Sequence, residues 1–129
     1  MENRVLERKL PDRQEVALKA FGRIADIWRL TVRDAAALAD MSESTWKRAK
    51  KPGYSGDLSH DQMLRLGALV GLYKSLELYF SEPVSREWVR LFNQGPEFDG
   101  ARPLDAMIAG GLPKILRVRS YVDALRGGV

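Results

Sequence analysis

The sequence contains no cysteine and a single histidine, His60, among its 129 residues. Without cysteine the chain has no disulfide bond and no thiol chemistry, which fits a cytoplasmic protein without requiring one. A lone histidine in the first turn of a predicted helix is more often solvated than bound to a metal, and no second histidine or cysteine completes a zinc site. We therefore expect no metal and no other cofactor.

Long apolar runs and enzyme signatures are missing as well. The longest apolar run, residues 66–73, is far shorter than the ~20 residues of a membrane span, and the N-terminal residues show no secretory signal. The chain has no glycine-rich phosphate loop, no Ser/His/Asp or Cys/His set, and no carboxylate cluster with metal-ligand spacing. The sequence predicts a cytoplasmic protein that is not an enzyme, has no catalytic residues and does not contact a membrane.

The net charge is only +4, and the excess is unevenly distributed. Residues 1–58 carry 12 Lys/Arg against 9 Asp/Glu, whereas residues 59–129 carry 9 against 8. A basic excess this mild permits nucleic-acid binding without demanding it. A solvated surface of mixed charge explains it equally well.

Apolar spacing in the first half predicts three short helices. They cover residues 14–28, the alanine-rich residues 32–39, and residues 43–51. Thr31 and Ser42 are suited to cap the second and third helices, and Asp40 in the turn tolerates left-handed backbone. Small residues in the second helix allow the third to cross it closely, as a helix-turn-helix requires.

The third predicted helix presents a polar face away from the core. Trp46 and Ala49 are expected to face inward. The outward side chains are those that a recognition helix directs at base edges and phosphates, namely Ser42, Glu43, Ser44, Lys47, Arg48 and Lys51. We expect them to bind operator DNA. The alternative is a helical bundle with a basic third helix, because some proteins with this pattern bind only other proteins.

A loop at residues 52–58 separates the two predicted regions. Residues 1–58 form the helix-turn-helix region, and residues 59–129 form a small second helical region packed against it, so the predicted fold is all-α. Ser59 and Gln62 read as a capping box at the start of the second region.

The capping box opens a long helix over residues 59–80 that is apolar on two sides. Such a helix is central to the fold or shared with a second subunit. Gly67 and Gly71 lie on one strip of it, where they would let a second copy approach closely, so we expect a homodimer. Alternatively, each glycine is a tolerated flaw costing up to ~1 kcal/mol relative to alanine.

The 88–104 segment follows a short helix predicted over residues 84–92. Two glycines and two prolines fix its shape, and its predicted apolar anchors are Trp88, Phe92, Phe98 and Leu104. Pro103 or Leu104 opens a helix that Gly110-Gly111 breaks, and Pro113 starts the last helix. We expect these anchors to form a small core that holds the segment in shape.

The second half resembles the toxin-binding domain of MbcA/ParS/Xre-type antitoxins over residues 64–129. The resemblance rests on an ordered set, Trp88, Asn93, Phe98, Gly100, Pro103-Leu104, Gly110-Gly111 and the closing Val122-Asp123-Ala124 to Val129. The Xre-like helix-turn-helix before it completes the two-part layout of these proteins.

The resemblance implies a type II antitoxin that also regulates its own operator. Its partner would be a RES-domain toxin, similar in fold to ADP-ribosyltransferases and acting on NAD, and the antitoxin's C-terminal end would cover the NAD cleft. The residues implied in toxin binding are Arg126, Gly127, Gly128 and Val129, with Asn93, Phe98 and Arg102. The 88–104 segment would then brace the last helix. Without the resemblance, Gly127-Gly128 reads as a fraying helix cap.

Two other classes of protein fit the same residues. A plain helix-turn-helix regulator with an oligomerisation tail needs no toxin, and its last four residues would be dispensable. A structural adaptor would require a large exposed apolar patch.

Overall fold

The computed structural model describes residues 12–127, apart from the Arg126 side chain. Over this range the chain forms helices and no strand. These are α1 (Arg13–Ile27), α2 (Val32–Ala39), α3 (Glu43–Ala49), α4 (His60–Tyr79), α5 (Val84–Glu87), a 3-10 helix (Trp88–Arg90) and α6 (Pro103–Gly127). The all-α prediction, with a helix-turn-helix first, is confirmed.

Side-chain caps set the starts of the helices at the positions that the sequence predicts. Thr31 Oγ1 accepts a hydrogen bond from the Asp34 amide at 3.0 Å. Ser59 Oγ accepts from the Gln62 amide at 3.0 Å while Gln62 Oε1 accepts from the Ser59 amide at 2.8 Å, which confirms the capping box. The turn of the helix-turn-helix has Asp40 in the left-handed region, with φ 58 and ψ 50.

Helix α4 is the centre of the fold. Leu66, Leu69, Leu72 and Leu76 are fully buried along it, because α1 packs on one side of the helix and α6 on another. In the N-terminal half, Phe21 of α1 packs on Trp46 of α3 with ring centroids 5.2 Å apart. Both halves of the chain therefore share one continuous core.

Helix α6 is bent, and its second part runs parallel to α4. The bend lies at Gly111, whose φ of 65 and ψ of −156 suit glycine far better than any other residue. Beyond the bend, the Arg119 side chain lies over Gly71 of α4, and the Ser75 hydroxyl of α4 donates a hydrogen bond to Asp123. In both contacts the residue of α6 is 48 positions after its partner in α4. Because both contacts advance together along the two helices, α4 and α6 end at the same end of the molecule.

The helix predicted over residues 84–92 is too long. The α-helix ends at Glu87, the chain continues as a 3-10 turn, and Leu91 is extended with φ −96 and ψ 139. This change of winding removes Phe92 from the face of Trp88, so Phe92 is 78% exposed while Trp88 is 6% exposed. Phe92 is not an anchor, and that prediction is wrong.

The three other predicted anchors, Trp88, Phe98 and Leu104, are buried. The third helix is also shorter than predicted, because it ends at Ala49 rather than at Lys51.

Candidate DNA interface and partner-binding surface

Helix α3 is held so that one face points to solvent. Trp46 and Ala49 are each 2% exposed in the core, and Lys50 Nζ lies 2.5 Å from Asp26 Oδ1 of α1. The six side chains predicted to bind DNA are all exposed, Ser42, Glu43, Ser44, Lys47, Arg48 and Lys51. The predicted orientation of the helix is confirmed, and DNA binding by these residues stays a prediction.

The α1–α2 turn adds positive charge that the sequence prediction overlooked. Leu30 and Val32 line the same cavity of about 260 Å³ as Lys47, Lys50 and Lys51, so the turn lies beside α3. Arg29 of this turn and Arg33 in the first turn of α2 are exposed. The two arginines on either side of the cap Thr31 were visible in the sequence. Helical periodicity alone, however, does not indicate that they lie near α3.

The 88–104 segment is closed by Asn93. Its amide donates to Ala101 O at 3.0 Å, its carbonyl oxygen accepts from the Gly100 amide at 2.9 Å, and its side-chain Oδ1 accepts from the Gly95 amide at 2.7 Å. Asn93 is therefore engaged on both its backbone and its side chain. Its predicted part in toxin binding stays a prediction.

The segment also packs against α6, in keeping with the bracing role that the resemblance implies. Phe98 packs edge-on against Trp88 at 5.6 Å and against Tyr121 of α6 at 5.4 Å. Lys114 Nζ donates to Glu97 O at 2.9 Å and to Glu97 Oε1 at 3.1 Å, and Arg117 lies 3.4 Å from the same carboxylate. The hydrogen bond from Lys114 and the charges of both cations lower the pKa of Glu97.

Arg102 lies at the other end of α6 from Gly127. Its guanidinium makes two hydrogen bonds to Asp105, at 2.7 and 2.8 Å. This pairing raises the pKa of Arg102 and lowers that of Asp105, and the charge of Asp34 in α2 acts in the same direction on Arg102. Arg102 therefore lies where the two halves of the chain meet, and the structure does not bring it together with the C-terminal end.

The C-terminal end is described only as far as Gly127, which is exposed. The Arg126 side chain, Gly128 and Val129 lie outside the described residues. Because α6 runs parallel to α4, Gly127 lies at the end of the molecule where α4 also ends.

That end of the molecule carries exposed apolar side chains that the sequence did not predict. A chain of aromatic rings runs from Tyr79 through Phe80, Trp88 and Phe98 to Tyr121. Exposed apolar side chains lie within this chain of rings or next to it in sequence. They are Leu78, 70%, and Tyr79, 43%, at the end of α4, and Leu91, 45%, and Phe92, 78%, after the 3-10 helix that begins with Trp88. We call these four residues the apolar end surface. The sequence did hold one indication that Phe92 lies outside the helix. The residues Asn93-Gln94-Gly95 directly after it do not continue a helix easily.

Two kinds of site are not seen in the described part of the chain. No group of three or more histidine, cysteine or acidic residues within 12–127 could hold a metal ion. None of the helices described is both long and apolar enough to cross a membrane.

Fold and site together define a helix-turn-helix protein with a second helical region. Residues 7–71 match the family model of the antitoxin Xre-like helix-turn-helix domain, and the chain belongs to this family. The match ends within α4, the helix that both halves share. The family implies a toxin as partner and DNA as ligand.

The chain is also similar to a curated protein. The chain is 42% identical over 113 residues to an uncharacterized protein, y4oB, of Sinorhizobium fredii, covering 86% of this chain and 84% of that protein. No solved structure matches the chain.

Proposed function

We propose that this antitoxin neutralises a RES-domain toxin with the half of the chain that follows α3 and represses its own operator with the helix-turn-helix. The observation that carries the proposal is the apolar end surface. Its residues Leu78 and Tyr79 lie at the opposite end of α4 from the helix-turn-helix, and α4 is about 30 Å long. A partner can therefore bind there while α3 is free for DNA.

The apolar end surface supplies the contact area in this proposal, and the C-terminal end blocks the toxin. Exposed Leu and Phe side chains on a braced loop need little ordering on binding, which favours affinity. Gly127 and Gly128 allow close backbone approach to a cleft. The positive charge of Arg126 can pair with an acidic group of the cleft. That the partner is of the RES type rests on the resemblance of residues 64–129.

We further propose that the chain acts as a homodimer through α4. Gly67 is exposed, and no atom of the described chain lies within 4 Å of the position a Cβ would take there. Leu64 on the same face is 43% exposed. Gly71 has a different explanation, since the Arg119 side chain covers it. A two-fold pair of α3 helices would favour an operator with two half-sites.

Removal of residues 126–129 tests the toxin half of the proposal. The truncated chain is expected to bind its operator like the full chain but to fail to restore growth when co-expressed with the toxin encoded beside it. A plain regulator predicts no effect on growth or on DNA binding. Full rescue by the truncated chain would contradict the role of the C-terminal end.

The double variant Lys47→Ala, Arg48→Ala tests the DNA half. We expect loss of operator binding and a weaker dependence of binding on salt, because each phosphate contact releases counterions. Lys74→Ala removes an exposed lysine from α4 instead and serves as the control. Unchanged binding by the double variant would show that α3 is not the recognition helix.

A further inference from the structure

We propose that Arg48 reads a guanine in the major groove, that Thr45 positions its guanidinium, and that Lys47 holds a backbone phosphate. The proposal rests on the proposed binding of operator DNA by α3 and assigns separate tasks to neighbouring side chains of that helix.

A line of hydroxyl groups connects the start of α3 to Arg48. Ser42 Oγ accepts from the Thr45 amide at 3.1 Å and donates to Thr45 Oγ1 at 2.9 Å. Thr45 Oγ1 in turn accepts from Arg48 Nη2 at 3.3 Å. The helix cap thereby also fixes the hydroxyl that holds the guanidinium.

The rest of the Arg48 side chain is available to a ligand. It is exposed, and within residues 12–127 it makes no other hydrogen bond and no ion pair. A guanidinium has five N–H donors in a planar fork, so one bond to Thr45 leaves four. A hydroxyl partner, unlike a carboxylate, leaves its positive charge uncompensated.

Helix α3 itself cannot rotate to present another face. Trp46 lies against Phe21, and Lys50 is paired with Asp26 of α1. The direction in which Arg48 leaves the helix is therefore set by the core, and the bond to Thr45 restricts its rotamers. An arginine that is already ordered loses less side-chain entropy when it binds.

Arg48 and Lys47 differ in the groups that they bind best. A guanidinium makes two parallel hydrogen bonds to O6 and N7 of guanine, the commonest specific contact in the major groove. The Lys47 ammonium is a point charge on a flexible chain, and within residues 12–127 it has no ion pair or hydrogen bond. Such a group contacts phosphate without reading sequence.

The test measures binding of the full chain to DNA from directly upstream of its own gene, narrowed by footprinting. Each base pair of the protected site is replaced in turn, and affinities are measured by fluorescence anisotropy at several salt concentrations. For the wild-type chain we expect a loss of roughly tenfold when one particular G·C pair in a half-site is replaced.

Variants then separate base reading from phosphate binding. Arg48→Lys should lose the preference at that one base pair and keep the salt dependence. Thr45→Val should weaken the same preference, and Thr45→Ser, which restores the hydroxyl, should recover it. Lys47→Ala should weaken binding to every sequence alike and lower the salt slope by about one. Circular dichroism checks that each variant is folded.

Two results overturn the proposal, and they are distinguishable. If Arg48→Lys keeps the preference at every base pair, or Thr45→Val and Thr45→Ser behave alike, Arg48 is not a positioned base reader. If the wild-type chain shows no preference for its own upstream DNA at any salt concentration, the proposed operator binding fails, and this assignment fails with it.

Discussion

Trp88 and Phe92 are aromatic residues four positions apart with opposite surroundings. Trp88 is in contact with Phe80 and Phe98 in the core, at centroid distances of 6.5 and 5.6 Å. Phe92, one turn further along the sequence, is 78% exposed. One residue therefore belongs to the core that holds the segment in place, and the other is exposed to solvent.

Truncation of these two side chains should separate stability from binding. Trp88→Ala is expected to lower the free energy of unfolding by about 3 to 5 kcal/mol through lost burial and a cavity. Phe92→Ala should change it by less than about 0.5 kcal/mol, because the ring is exposed. Urea denaturation of the two variants measures both values, and an equal loss in both would contradict the assignment of Trp88 as support.

Phe92→Ala should nevertheless weaken toxin binding by about tenfold, as expected for an exposed aromatic at the centre of a contact. Val16→Ala shortens an apolar side chain of α1 that is 48% exposed and is the matched control. Titration calorimetry with the purified toxin measures both. Equal affinities of the Phe92 and Val16 variants would exclude the apolar end surface from the interface.

At the scale of the elements, helix starts were predictable and the end of α5 was not. Thr31, Ser42 and Ser59 each cap the helix that follows them, because a cap depends on a few neighbouring residues. The switch to 3-10 winding at Trp88 depends on how α5 packs, so periodicity continued the helix through Phe92. The contact of Arg119 with Gly71 was not predictable either, because the two residues are 48 positions apart and no local sequence pattern indicates it.

The brace between the 88–104 segment and α6 should respond to acid. The pKa of Glu97 lies below its usual value of 4.5, because Lys114 hydrogen-bonds the carboxylate. A carboxyl whose pKa is lower folded than unfolded stabilises the fold above the unfolded pKa, and this contribution is lost as pH falls through the folded pKa. The stability supplied by Glu97 is therefore present at neutral pH and declines below about pH 4.5.

Glu97→Gln should flatten this part of the pH dependence. The free energy of unfolding of the wild type is expected to fall more steeply than that of the variant between about pH 5 and pH 3. Asp105 is present in both proteins, so its contribution to the pH dependence of unfolding is the same in each and drops out of the difference. Denaturation midpoints at matched pH values measure the difference, and parallel curves would show that the Glu97 brace adds nothing to stability.

At the scale of the molecule, α4 connects the two halves. Near its start, Gln62 Nε2 donates to Asp40 O in the helix-turn-helix turn at 2.8 Å, and Arg65 Nη1 lies 3.4 Å from Leu38 O. Near its end are Leu78 and Tyr79 of the apolar end surface. The helix-turn-helix at the start of the chain was predictable from the sequence. The placement of Arg102 where the halves meet was not, because it depends on how α2 and α6 pack together.

The C-terminal end of this chain is proposed to cover the NAD cleft of a RES-domain toxin. Consumption of NAD by the purified toxin, measured with increasing amounts of the full chain or of the chain lacking residues 126–129, tests it most directly. We predict that the full chain stops NAD consumption at stoichiometric amounts, whereas the truncated chain still binds the toxin and leaves NAD consumption largely intact. Equal inhibition by both chains, or none by the full chain, would contradict the claim.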